Sequence, residues 1–237
     1  MTKTVSDPVT VMKRHELKYL LDGEKTAYLR RRLEGHMVPD AFGLTSIASL
    51  YYDTPDRRLI RASLEKPPFK EKLRLRSYGL AEEGSPVYLE LKCKAFDTVY
   101  KRRVQSTLDG VQQFFEGGAP LGDGGQITRE IRAFCDLYDT LSPSCLIIYD
   151  RTAYFEPDGE LRLTIDENPR YRMRDLALDR SMDGIPLLPE GWTILEIKVQ
   201  DAIPLWLAEI LSSGKIYRGS FSKYGEAYRR EERKRAV

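Results

Sequence analysis

Eight segments of the chain read as β-strands, most of them because apolar and polar residues alternate with period two: 10–21, 46–53, 72–78, 87–94, 98–107, 144–156, 160–166 and 193–200. Clusters such as EEGSP and EPDGE bound them, and the corner Pro157-Asp158-Gly159 predicts a hairpin turn between YDRTAYFE and ELRLTID. Helical spacing predicts helices over 22–37, 108–116, 128–141, 204–213 and 223–235. Asp22 is placed to cap the first, whose apolar stripe is Ala27, Leu29 and Leu33; Thr128 heads a similar stripe through Ile131, Phe134, Cys135 and Tyr138. The glycine-rich EGGAPLGDGGQ, 116–126, lacks the GxxxxGK[ST] spacing of a phosphate loop and reads as a flexible connection. The basic end RREERKRAV carries both signs and reads as a frayed, solvated helix.

In five of the strands the polar face is charged: Arg14-His15-Glu16-Leu17-Lys18, Arg74-Leu75-Arg76, Glu90-Leu91-Lys92-Cys93-Lys94, Arg162-Leu163-Thr164-Ile165-Asp166 and Glu196-Ile197-Lys198-Val199-Gln200. An ordinary half-buried strand sends its leucines to the core and its arginines to water. Faces that simply met water would also carry Thr, Ser, Asn and Gln, yet only Thr164 and Gln200 stand there. A closed antiparallel β-barrel resolves this: the apolar sides face outward beneath amphipathic helices, and the charged sides converge on a lumen. The fold expected is therefore α+β, a barrel with helices packed outside. On the charged faces Arg14, Lys18, Arg74, Arg76, Lys92, Lys94, Arg162 and Lys198 outnumber Glu16, Glu90, Asp166 and Glu196. That surplus calls for a polyanion, with Arg forks and Lys point charges suited to phosphate oxygens. A sheet that pairs its own ions across strands and binds nothing is the other reading of the same pattern.

Composition narrows the choice. At 237 residues, 41% hydrophobic and 31% charged, the chain suffices for a single domain with a real core. The net charge of +2 demands no nucleic-acid or membrane partner, so any basic site is local. The basic residues also lack the interleaved aromatics of a nucleic-acid stacking platform. The longest apolar run, 145–149, is far short of a membrane span, and MTKTVSDPVTVMKRHE lacks the apolar stretch of a signal peptide. Cys93, Cys135 and Cys145 are too few and too irregular for a disulfide framework and fit a reducing compartment; no CxxC or Cys/His pair points to zinc. With only His15 and His36, chemistry built on several histidines is excluded. Tyr51, Tyr52, Tyr149, Tyr154 and Phe155 read as packing residues, Trp206 as the core face of a helix and Asp53 as the cap of a turn.

RHELKYLL, SLYYDTPD, KLRLRSYG, VYLELKCK, YDRTAYF, LRLTID, LEIKV and FSKYG, in that order and spacing, resemble the catalytic domain of the vacuolar transporter chaperone (VTC) polyphosphate polymerases, within the triphosphate tunnel metalloenzyme superfamily. The resemblance covers about residues 11–228 of a single domain spanning 1–237. It implies a closed eight-stranded antiparallel tunnel whose basic lumen holds a nucleoside triphosphate and a divalent metal, Mn2+ or Mg2+. By position it implies phosphate contacts from Lys18, Arg74, Arg76, Lys92, Arg151, Arg162, Lys198 and Lys223, with Arg74, Arg76, Arg151 and Arg162 gripping the reacting triphosphate. Lys94, Lys101 and Arg103 are expected to line the same lumen. Glu196 matches the metal carboxylate, and Glu16, Glu90 and Asp166 match supporting acids of the metal site.

Two departures bear on function. Arg14 replaces the first Glu of the Glu-x-Glu-x-Lys strand found in the hydrolytic branch, which favours the polymerase-like branch; Ser220 stands where the family often has a second lysine. The resemblance then implies transfer of the γ-phosphate of ATP or another nucleoside triphosphate to phosphate, pyrophosphate or a polyphosphate chain. An inorganic triphosphatase of the same fold and a non-catalytic polyphosphate-binding module are the alternatives. Eukaryotic members join this domain to a transmembrane module and a phosphate-sensing domain; a stand-alone cytoplasmic protein is expected here, with a separate membrane-protein partner left open.

Overall fold

The computed structural model describes residues 15–65, 67–96, 98–138 and 140–236. Within them the alternating segments form one antiparallel sheet of ten strands: β1 (His15–Leu21), β2 (Val38–Asp53), β3 (Phe69–Tyr78), β4 (Val87–Ala95), β5 (Thr98–Ser106), β6 (Ser142–Phe155), β7 (Arg162–Arg172), β8 (Ile185–Pro186), β9 (Thr193–Val199) and β10 (Arg218–Gly219). Their order is β10-β1-β9-β7-β6-β2-β3-β4-β5, with β8 on β7. The expected closed eight-stranded tunnel is thus corrected on two counts. There are ten strands, of which β8 and β10 are two-residue additions. The hydrogen-bonded order also has two ends, β10 and β5, in place of a closed ring.

The sheet is nonetheless strongly curled. Glu16 on β1 and Lys92 on β4 form an ion pair at 3.5 Å, although six steps of strand order separate them. A flat sheet would hold those strands about 29 Å apart at the usual inter-strand spacing.

Parity divides the sheet as the alternation predicts. On the outer face Leu50, Tyr52, Leu73, Leu75, Leu89, Leu91, Leu146 and Ile148 pack with Phe114, Ile131 and Phe134 of α3 (Leu108–Phe115) and α4 (Gln126–Leu137). Tyr19, Leu21, Leu163, Ile165, Leu195 and Ile197 pack with Leu29, Leu33, Leu207 and Ile210 of α1 (Gly23–Leu33) and α5 (Leu205–Ser213). Asp22 caps α1, accepting from Lys25 N at 2.8 Å, and Thr107 caps α3 through Gly110 N at 3.1 Å. The glycine-rich connection between α3 and α4 is pinned by buried Leu121, whose carbonyl accepts from Thr128 Oγ1 at 2.9 Å. The hairpin at Pro157-Asp158-Gly159 joins β6 to β7, with Glu156 N donating to Leu161 O at 3.2 Å.

A third cluster lies on the inner, charge-bearing face: Ile47, Cys145, Ile147, Tyr149 and Tyr171 meet Ile60 of α2 (Arg58–Leu64) and Tyr224 and Ala227 of α6 (Lys223–Arg235). These two helices plug one part of the concave face with apolar side chains, so the lumen is charged only in its remainder. Asp53 organises the plug: Oδ1 accepts from Leu59 N at 2.8 Å, and Oδ2 accepts from Ile60 N at 3.0 Å and Tyr224 Oη at 2.8 Å. Its capping role agrees with the expectation, but it caps a helix that the apolar pattern did not predict. The cap comes from upstream of α2, whose own N-cap residue, Arg57, supplies no side-chain bond. The predicted fraying of the last helix is also corrected. Arg230 donates to the carbonyls of Pro186 and Leu187 at 2.6 Å each, and Tyr171 Oη donates to Glu231 at 2.8 Å.

Among the described residues no helix is long and apolar enough to cross a membrane.

Candidate functional site

Strand register builds the site. Antiparallel partners project from the same face, so β3, β4 and β5 present cross-strand rows: Lys70–Lys94, then Lys72–Lys92–Lys101, then Arg74–Glu90–Arg103. Across the trough, β7, β9 and β1 present Arg162–Lys198–Glu16 and Thr164–Glu196–Lys18. Between the two walls Arg151 of β6 lies opposite Asp166 of β7.

Three carboxylate centres gather the cations. The first is Glu90, 1% exposed, which receives Arg74 Nε and Nη2 at 2.7 Å each, Lys101 Nζ at 2.7 Å, Arg103 Nε at 3.5 Å and Arg76 Nε at 3.8 Å. Burial pushes the Glu90 carboxyl up, but Arg74, Arg76 and Lys101 outweigh it and draw the pKa down to about 2. The second is Asp166, fully buried, held by Arg151 in a two-pronged contact, Nε to Oδ1 at 2.6 Å and Nη2 to Oδ2 at 2.9 Å. Lys223, the first residue of α6, closes on the same Oδ2. Against the effect of burial, Lys223 and Arg151 keep Asp166 below its ordinary range.

The third centre pairs Glu16 with Glu196. Lys18 bridges them at 3.0 Å and 3.5 Å, Lys198 reaches Glu196 at 3.3 Å, and Lys92 reaches Glu16 at 3.5 Å. Burial raises Glu196, and Lys18, Lys198, Arg151 and Lys223 together bring it well below the usual carboxylate range. Those last two cations belong to the Asp166 centre, so the second and third centres are electrostatically continuous.

Two tyrosines read from the sequence as packing do pack, Tyr149 within the third cluster and Tyr51 against it, and their hydroxyls also reach the site. Arg74 Nη1 donates to Tyr51 Oη at 3.2 Å, and Arg76 Nη2 donates to Tyr149 Oη at 3.3 Å. Burial raises both phenols, yet each lies below its ordinary range; Arg74, Arg76 and Lys223 outweigh burial at Tyr51, and Arg151, Arg76 and Lys223 do so at Tyr149. Lys223 Nζ also stands 4.2 Å over the Tyr149 ring. Tyr52 and Tyr154 do pack in the outer clusters, as expected, and Trp206 packs beside α1 while stacking on His36 at 4.2 Å.

The remaining expected residues are less central. Arg162 is exposed at the start of β7 and donates to the carbonyls of Gly159 and Leu161 at 3.3 and 3.1 Å. Lys94 is half-buried opposite Lys70. Arg14 lies outside the described residues. Lys72 was not singled out from the sequence, although its parity with Arg74 and Arg76 in KLRLRSY is the signal that finds it. Burial first, then Lys70, Lys92, Lys18 and Arg74, lower its pKa to about 7.

Among the described residues no group of three or more His, Cys, Asp or Glu side chains is placed to hold a metal. The four carboxylates expected around a metal are therefore dispersed over three centres. Glu90 and Asp166 have their oxygens engaged by Arg and Lys at close range. Glu16 and Glu196, on neighbouring strands and sharing one lysine, have the donor chemistry for a hard cation that completes its shell with phosphate oxygens and water.

The model of the VTC domain family matches residues 13–231. The Vacuolar transporter chaperone complex subunit 4 of Schizosaccharomyces pombe is 26% identical over 210 residues, covering 71% of this chain. The chain spans 29% of that relative's length. A Bacillus halodurans protein provisionally described as an adenylate cyclase superposes with a TM-score of 0.55 at 16% identity, covering 89% of this chain and 96% of that one. A Vibrio parahaemolyticus protein with the same provisional description gives a TM-score of 0.51 at 15% identity, covering 91% and 97%. At these identities the two structures share the fold.

Proposed function

The chain belongs to the VTC domain family, and on that premise we propose that it is a phosphotransferase that moves the γ-phosphate of a nucleoside triphosphate onto phosphate, pyrophosphate or a polyphosphate chain. The observation that carries this reading is the inner face itself: guanidiniums of Arg74, Arg76 and Arg151 are held in fixed orientations by buried carboxylates and phenols. Phosphoryl transfer needs alignment and charge cancellation more than covalent help, and prepositioned forks supply both. Arg74 and Arg76 present donors from one wall, and Arg151 and Lys223 from the floor, so a triphosphate lying between them is gripped from two sides. The half-exposed lysines Lys18, Lys92 and Lys198 neutralise charge toward the opening.

Glu16 and Glu196 are the residues that would hold a divalent ion, which supplies, when bound, a Lewis acid against the phosphate oxygens. The acceptor phosphate is already ionised near neutral pH, with a second pKa of about 6–7. No histidine base is needed, and none of the side chains gathered at the three carboxylate centres is a histidine.

The test is incubation of purified protein with ATP and Mn2+, with the products resolved on a gel. Polyphosphate is the expected product. Consumption of ATP with release of orthophosphate and no polymer would replace this reading with a triphosphatase of the same fold.

A further inference from the structure

The inner face of β3, β4 and β5 is graded along its length. At one end stand Tyr78, the last residue of β3, and Tyr88, directly opposite Arg76. Next come Arg76 itself and the row Arg74–Glu90–Arg103, and beyond them the lysine rows Lys72–Lys92–Lys101 and Lys70–Lys94. The two tyrosine rings meet edge to face, with centroids 5.7 Å apart at 79°. Arg103 ties them together: its guanidinium lies 3.7 Å over the Tyr88 ring and 5.5 Å from the Tyr78 centroid, and Nη2 donates to Tyr78 Oη at 3.0 Å. Nε of the same fork faces Glu90 at 3.5 Å, which anchors the cluster to the carboxylate that also holds Arg74. Tyr88 is thereby covered. Tyr78, 45% exposed, keeps its hydroxyl engaged and its ring open.

We propose that the Tyr78 ring, with the Arg103 guanidinium beside it, is the stacking surface for the base of the nucleoside triphosphate donor, and that it decides which end of the trough the nucleoside occupies. The inference rests on the nucleotide-dependent reading above for the identity of the ligand, and on the residues alone for the surface.

A nucleoside triphosphate is graded in the same sense as the wall, with a flat uncharged base at one end and a polyanion at the other. Bases stack on phenol rings and guanidinium planes with little regard to their identity. Tyr78 lies two residues from Arg76 on one strand face, about 7 Å along the chain. A triphosphate gripped by Arg74 and Arg76 therefore has its nucleoside within reach of the ring. At the other end β3 and β4 present only Lys70, Lys72, Lys92 and Lys94 to the trough, and none of these offers a base a surface to stack on. One open ring serves one base, not the successive bases of a nucleic-acid strand. Purines bind ahead of pyrimidines because they present more area to it.

The experiment is calorimetric titration with ATP and, separately, with inorganic tripolyphosphate, comparing wild type, Tyr78→Leu and Tyr78→Phe, with far-UV circular dichroism confirming each fold. Tyr78→Leu is expected to weaken ATP about tenfold and to leave tripolyphosphate unchanged, since only the nucleoside loses its contact. Tyr78→Phe keeps the ring and holds ATP within about twofold of wild type. Tyr78→Trp supplies a second readout: its added indole emission is quenched by ATP and not by tripolyphosphate. Unchanged ATP affinity in Tyr78→Leu overturns the proposal, as does an indole that ATP leaves unquenched. So does an equal loss of ATP and tripolyphosphate, which would make Tyr78 a support of the phosphate grip. If ATP binds through Tyr78 and no polymer forms, the stacking surface stands and the phosphotransferase reading alone fails. If polymer forms and Tyr78→Leu binds ATP unchanged, only the stacking surface fails.

Discussion

Glu16 and Lys92 meet at 3.5 Å from strands six steps apart in the sheet order, and no ladder of hydrogen bonds joins those strands. The trough is thus closed over by side chains where its backbone leaves it open. Both groups are substantially exposed, at 29% and 41%, so the pair contributes little to stability for all its structural meaning.

A double-mutant cycle of Glu16→Gln and Lys92→Met should accordingly give a coupling energy below about 1 kcal/mol by urea denaturation. A coupling of several kcal/mol would mean that the pair, and not the register and twist of the sheet, imposes the curl.

Glu90 is the opposite case. Its replacement by Ala leaves Arg74, Arg76, Lys101 and Arg103 clustered without their common counter-charge, and should destabilise the fold by about 3–5 kcal/mol in chemical denaturation. Tripolyphosphate should restore more stability to Glu90→Ala than it adds to wild type, since the ligand then replaces the missing anion. An additive effect of mutation and ligand would place the ligand elsewhere.

The carboxylates predict an acid limit. Glu90 titrates at about 2 in the fold against 4.5 ordinarily, and Glu16, Glu196 and Asp166 are also lowered. The unfolded chain therefore binds protons first. The stability these groups contribute is present in full above about 4.5 and is lost as pH falls toward about 2. Thermal midpoints should hold steady from neutral pH down to about 5 and drop steeply below; Glu90→Gln should blunt that drop. Lys72 has the same sign in a higher window: lowered from 10.5 to about 7, it too leaves the unfolded chain with more bound protons, so stability rises with pH between those values.

Arg74 tests the reaction. Arg74→Ala should cut turnover by about a hundredfold or more, and Arg74→Lys should recover little of it, because an ammonium cannot reproduce the fork that spans Glu90 and Tyr51. Circular dichroism should be unchanged, since Arg76, Lys101 and Arg103 still compensate Glu90. Full activity in Arg74→Ala would remove this residue from the reacting centre.

The elements that escaped prediction share a cause. The first part of β2, over 38–45, carries Pro39 and Gly43 and exposes Phe42 and Leu44, so no alternation marks it; its pairing with β6 is interrupted by an irregularity between Pro39 and Leu44. Helix α2 exists because Asp53 caps it from upstream and α6 covers it, with Gly225 at the close crossing: a Cβ there would lie 2.9 Å from Leu64 Cδ2. Tyr51 and Tyr149 pack as expected, but an aromatic in a strand carries no sign that its hydroxyl will also meet an arginine.

What the sequence determined by itself is the sidedness of the sheet: a strand turns over every residue, so Lys72, Arg74 and Arg76 share one face and Leu73 and Leu75 the other wherever the strand is put. What only the tertiary structure decided is the pairing across that face. The plain register of the consecutive strands β3, β4 and β5 brings four cations onto Glu90, the β6–β7 ladder and α6 bring Arg151 and Lys223 onto Asp166, and no described carboxylate pairs with Lys72. Pairs within a hairpin follow from its register, whereas Glu16 with Lys92 and Lys18 with Glu196 meet from strands remote in sequence, at distances set by how apolar outer faces pack beneath their helices.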